Sequence, residues 1–221
     1  MLTPGSAFAG RTFDAILFDM DGTLISSIAA VDRSWARWAG EHGFDPATFR
    51  ISHGTPARTL VERLLPAEAV DAAVARIDEI EIADVDGVLL LEGAADLLAA
   101  LPADRVAIVT SCTRDLARAR IAAAGIDVPE VVVTADDVVN GKPDPEPFAL
   151  GAARLGLDPS RCLVVEDAPA GLASGRAAGC ATLAVSGTHE LDTLDADAHA
   201  PSVASVTVQV AADGTLTIVD L

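Results

Sequence analysis

At 221 residues the chain suits one domain carrying a sizeable insertion, or two small domains. Hydrophobic residues make up 51% and charged residues 22%, which excludes a disordered polypeptide, and a net charge of −18 makes nucleic acid and anionic membranes poor partners. No apolar run approaches the ~18 residues of a membrane span, and MLTPGSAFAGRTFDA lacks the charged start of a signal peptide, so a cytoplasmic location is expected.

The first ten residues carry no packing signal and are expected to be loose. FDAILF, residues 13–18, then reads as a buried strand. It runs into DMDGT, which sets Asp19 and Asp21 one residue apart. Two neighbouring carboxylates at the end of an apolar strand are costly unless a cation compensates them, because burial and like charge both oppose ionisation. Helical patterns follow from about residue 27 to residue 82, in VDRSWARWAGEHG, TPARTLVERLLP and EAVDAAVARIDEIEI. Trp35, Trp38, Phe44 and Phe49 read as the core of this segment.

From EGAADLLAALP onward, helices alternate with short apolar strands, RVAIVTS, EVVVTA, CLVVED and CATLAVS. That alternation predicts a doubly wound parallel α/β sheet. A crossover needs only about a dozen residues. Residues 24–90 are therefore expected to be an inserted helical domain, with residues 1–23 and 91–221 forming the α/β core and hinges at Leu24–Ser27 and Val85–Leu91. The tail VTVQVAADGTLTIVDL reads as a hairpin around Asp213-Gly214. Cys112, Cys162 and Cys180 show no C-x-x-C spacing and read as small buried thiols.

Ligands of open α/β sheets bind beyond the carboxyl ends of the strands. Here those ends carry Asp19 and Asp21, then Thr110 and Ser111, then Glu166 and Asp167, with Lys142 in VVVTADDVVNGKPDPEPF. Taken singly, each has an ordinary explanation as a turn residue, a helix cap or a solvated charge. Taken together, they are the ligand set of a hard divalent cation beside an anion.

DMDGT, VTS, GKPDP and VVED, in this order and with a helical insert after the first, resemble the four motifs of the haloacid dehalogenase-like phosphatase superfamily along nearly the whole chain. SHGTPARTL, TSCTRD and EDAPAGLASGRAAGC resemble its 2-deoxyglucose-6-phosphate and glycerol-phosphate phosphatase branch, related to β-phosphoglucomutase. The resemblance implies a Rossmann-like core under an α-helical cap. It implies Asp19 as the nucleophile that becomes an aspartyl-phosphate, and Asp21 as general acid and base. Mg²⁺ would be held by Asp19, the Asp21 carbonyl, Asp167 and Glu166. Lys142 would neutralise Asp19 and a phosphoryl oxygen, with Ser111 as a hydrogen-bond donor. Cys112, Arg114, His53, Arg58 and Glu79 are the expected substrate contacts, with a surface charge or a helix salt bridge as the alternative for Arg114, His53, Arg58 and Glu79 alike. The expected partner is a small hexose, deoxyhexose or polyol phosphate, and a monomer is expected, with a dimer the alternative. The same motifs fit a phosphosugar mutase. Asp21 argues against a dehalogenase, and the presence of both aspartates argues against a non-catalytic phosphosugar-binding protein.

Overall fold

A computed structural model describes residues 1–51 and 55–220. A short helix α1 (Pro4–Ala7) precedes strand β1 (Ala15–Phe18), and β2 (Ile25–Ser26) leads into helices α2 (Ile28–Glu41), α3 (Ala57–Leu64) and α4 (Ala67–Ala83). The chain continues through β3 (Leu89–Leu90), α5 (Ala94–Ala99), β4 (Val106–Val109), α6 (Arg114–Ala124) and β5 (Val131–Val133). After α7 (Glu146–Arg154) come β6 (Cys162–Glu166), α8 (Pro169–Ala177), β7 (Ala181–Val185), β8 (Ala198–Ala200) and the hairpin β9 (Val206–Val210) and β10 (Leu216–Asp220).

Six strands form a parallel sheet in the order β5-β4-β1-β6-β7-β8. Every residue of β1, β4 and β6 is buried, as continuous apolar strands covered on both faces must be. The register pairs Phe18 with Ile108 on one side and Val165 on the other. The three central strands therefore end level, and chain order reverses around β1, so their carboxyl ends open one crevice.

Helices α2, α3 and α4 pack around their own apolar centre of Trp35, Trp38, Leu60, Val61, Ile77 and Ile80. Trp38 is fully buried, and its indole N–H donates to the Ala73 carbonyl at 2.9 Å. Stacking with Phe44 at 6.2 Å, and the position of Phe49 6.1 Å away, agree with the expected core role. The two expected hinges pair with each other, Ile25 opposite Leu90 and Ser26 opposite Leu89, in a two-residue ribbon too short to leave a sequence pattern. Likewise β8, AHA, lacks the branched residues that mark strands.

The expected looseness of the first ten residues is not found. The Asp220 carboxylate accepts from the Thr3 hydroxyl at 2.7 Å and the Gly5 N–H at 2.8 Å, and Phe8 is buried edge-to-face on Phe13 at 5.2 Å. The anchor lies at the other end of the sequence, where local patterning cannot reveal it. The tail hairpin forms as expected, and all three cysteines are free and buried. No helix among the described residues is long and apolar enough to cross a membrane.

Candidate active site

The crevice above β1, β4 and β6 is a cavity of about 180 Å³. Asp19 leaves β1 with its N–H donating to Val165. The chain then turns tightly at Gly22, whose φ of +92° suits glycine, and a Cβ there would also collide with the Asp167 carboxylate. Lys142, the only lysine of the chain, is buried behind Asp19. Its ammonium donates to Asp19 Oδ1 at 2.6 Å, the Val109 carbonyl at 2.9 Å and Glu166 Oε1 at 2.9 Å. All three protons are thus used by the protein, so Lys142 meets a ligand here as a charge rather than as a free donor.

Glu166 is tied on its other oxygen by the N–H groups of Asp167 and Ala168, at 2.8 and 2.7 Å. Thr188 gives Asp167 Oδ2 two hydrogen bonds, from its N–H and its hydroxyl, both at 2.6 Å, with Thr23 at 3.5 Å from the other oxygen. Oxygens of Asp19, Glu166 and Asp167 lie within 4.8 Å of one another, all three residues buried. Burial pushes Asp19 up to about 7 despite Lys142, and pushes Asp167 up to about 6 with help from the Asp19 charge. Glu166 is raised by the same cause. Burial works against the charge on Lys142, but its two carboxylate partners raise its affinity for its proton overall. Three crowded carboxylates facing one ammonium remain short of positive charge, and an all-oxygen set of this size fits a hard divalent cation.

A Cβ on Gly171, in the first turn of α8, would overlap the Glu166 carboxylate. Gly171→Ala is expected to lower stability by about 1–3 kcal/mol in urea titration, since Glu166 cannot yield without releasing Lys142. An unchanged midpoint would mean that Glu166 has room elsewhere.

Asp21 points toward α6. Its Oδ1 accepts from Arg120 at 2.9 Å and its Oδ2 from the Cys112 thiol at 3.2 Å. Arg120 is buried, and its second nitrogen donates to Glu81 of α4 at 3.1 Å. Glu81 is pushed up to about 7 by burial, against the pull of Arg120. Thr113 caps α6, and its hydroxyl also donates to Asp78 of α4 at 2.7 Å.

Asp19, Asp21, Ser111, Cys112, Lys142, Glu166 and Asp167 all line the cavity. Arg58, Glu79 and Arg114 do not. Arg58 pairs with Asp71 at 2.8 Å, Glu79 with Arg76 at 2.9 Å, and Arg114 with Asp137 at 3.0 Å, all on the outer surface. His53 lies outside the described residues. In their place stand Asp78, Glu81, Thr113, Arg120 and Thr188. Helical spacing explains the exchange of Glu79 for Glu81: the buried face of α4 carries Val70, Ala73, Ile77, Ile80 and Glu81, and residue 79 falls on the far side. Arg120 sits likewise among Leu116, Ala117 and Ile121. A charge inside an apolar stripe was the available signal in both cases.

Fold and site together define a doubly wound α/β protein whose switch point holds an acid-and-lysine centre suited to a cation and an anion. The haloacid dehalogenase-like hydrolase family matches residues 13–179, and the chain belongs to that family. It is 42% identical over 202 residues to hexitol phosphatase A of Escherichia coli (strain K12), covering 87% of this chain and 94% of that protein. It is 37% identical over 194 residues to glycerol-1-phosphate phosphohydrolase 2 of Saccharomyces cerevisiae, covering 82% and 78% respectively. A hydrolase from Pseudomonas syringae shares the fold with a TM-score of 0.76 at 23% identity, over 86% of this chain and 94% of that one.

Proposed function

We propose that this protein is a phosphoric monoester hydrolase acting on a small hexitol, glycerol or deoxyhexose phosphate, with Mg²⁺ as its cation and Asp19 as its nucleophile. The observation that carries this reading is Asp19 at the level strand ends, backed by Lys142 and beside Asp167. Membership of the family and the similarity to named polyol phosphatases support it.

Asp19, Asp167, the Asp21 carbonyl and Glu166 are the residues offered to the cation. When bound, it supplies the positive charge that lets an anionic phosphate approach an anionic carboxylate. Asp19 attacks phosphorus while the ester P–O bond breaks. Asp21 delivers a proton to the departing alkoxide, then takes one from the water that opens the aspartyl-phosphate and releases inorganic phosphate. Ser111 and the N–H groups near Met20 and Asp21 donate to the phosphoryl oxygens. We read residues 24–90 as a cap over this centre, and the protein as a cytoplasmic monomer with a small-molecule substrate.

The test is a panel of sugar, deoxysugar and polyol phosphates assayed with Mg²⁺. Asp21→Asn is expected to slow single-turnover phosphoryl transfer from these esters to Asp19 by about 10²-fold or more and to spare transfer from p-nitrophenyl phosphate, whose leaving group needs no proton, while the aspartyl-phosphate opens more slowly whichever ester formed it. Equal losses in the transfer step would remove the acid role from Asp21. A phosphosugar mutase would instead form glucose 6-phosphate from β-glucose 1-phosphate primed with the 1,6-bisphosphate.

A further inference from the structure

The α4 wall of the cavity has no part in the steps above. Val74, Ile77, Asp78 and Glu81 all line the cavity, at the spacing that puts residues on one helical face. Trp35, Val31 and Leu60 complete an apolar surround. The two carboxyl groups in this wall are each held on one oxygen, Asp78 Oδ1 by Thr113 and Glu81 Oε1 by Arg120. Among the described residues, no donor reaches the second oxygen of either. The wall therefore offers hydrogen-bond acceptors set in apolar surface, which suits hydroxyl groups on a carbon chain.

The wall also lacks a spare cation. The cations among the described lining residues are Lys142, with its three protons used, and Arg120, clamped between Asp21 and Glu81. An anionic group at the far end of a substrate would meet Asp78 and Glu81 with nothing to neutralise it. Like charges brought together in this way cost several kcal/mol.

We propose that Asp78 and Glu81 select the substrate, admitting phosphate monoesters whose remainder is neutral and hydroxylated and rejecting those with a second anionic group. This rests on the phosphatase reading and sharpens it. Arg120 has a latent second role here. It lines the cavity with its charge shared between Asp21 and Glu81, and weakening the Glu81 partner leaves part of that charge to attract a carboxylate.

The experiment compares two matched pairs, glycerol 3-phosphate with 3-phosphoglycerate, and a hexitol 6-phosphate with 6-phosphogluconate. Within each pair a terminal CH₂OH is replaced by a carboxylate. The wild-type protein is expected to favour the alcohol by about 100-fold in kcat/KM, the size of a moderate like-charge penalty. Glu81→Gln, which keeps the shape and loosens Arg120, should lower KM for the acid and raise it for the alcohol, shrinking the preference about tenfold or more. Asp78→Asn should shrink it in the same direction without relying on Arg120. The preference is a ratio within each variant, so loss of folded protein cannot imitate the result. Equal use of alcohol and acid by the wild-type protein, or an unchanged ratio in both variants, would overturn the proposal and leave the phosphatase reading standing. Failure of the wild-type protein to hydrolyse these esters and p-nitrophenyl phosphate alike would overturn both.

Discussion

Asp19→Asn is expected to reduce phosphate release from every ester by about 10⁵-fold, the scale on which removal of a covalent nucleophile is felt. An amide oxygen is a far poorer nucleophile, and the substitution also removes the negative charge against which Lys142 is set. The exchange is nearly isosteric, and the variant should remain folded. Asp19 is buried and its ionised form is disfavoured there, so a neutral side chain relieves a desolvation cost. The predicted outcome is a silent enzyme with wild-type or higher thermal stability, read by turnover and by thermal melting. Acid-quenched wild-type protein should carry one added phosphoryl mass during turnover and the variant none. Substantial phosphate release by the variant would exclude Asp19 as the attacking group.

Cation removal should have an effect of similar size on activity, together with a diagnostic effect on stability. Asp19, Asp167 and Glu81 are raised to about 7, 6 and 7 by burial. In the unfolded chain such groups lose their protons near pH 4. Between about pH 4 and pH 7 the folded state therefore holds more protons than the unfolded state. Stability from these groups is full below pH 4 and is lost as the pH rises through 6 and 7. A divalent cation competes with those protons at Asp19 and Asp167, so its stabilising effect should grow over the same interval. At a hundredfold excess over its dissociation constant, Mg²⁺ contributes about 2.7 kcal/mol. For a chain of this length that is a rise in Tm of several degrees at pH 7.5, on the order of 2–4 °C per kcal/mol. At pH 5 the rise should be much smaller. Chelation should abolish turnover and Mg²⁺ should restore it. An equal thermal shift at both pH values, or none at either, would show that these carboxylates do not hold the ion.

The parts of the site legible in the sequence are those that strand ends deliver. Asp19, Ser111, Glu166 and Asp167 each follow a short apolar run, and a parallel sheet must bring such positions to one edge. Lys142 was legible through its motif rather than through any periodicity. Asp78, Glu81, Arg120 and Thr188 were not read because their roles depend on partners far away in the chain. Arg120 and Glu81 are separated by 39 residues, and Thr188 and Asp167 by 21. Arg58 and Arg114 were chosen for their places in SHGTPARTL and TSCTRD and Glu79 for a carboxylate that could accept hydroxyls, and in the structure all three exposed charges settle on nearby ions of opposite sign. The same limit explains the N-terminus, where residues 3 and 220 meet.

Helix α2 has a spectroscopic consequence. The chain contains two tryptophans and no tyrosine, and both indoles lie on this one helix, 5.2 Å apart. Trp35 lines the cavity and Trp38 is sealed in the neighbouring helical core. Intrinsic fluorescence from this protein therefore arises entirely beside the candidate active site, against a dark β-sheet background, giving an optical reporter that needs no added dye.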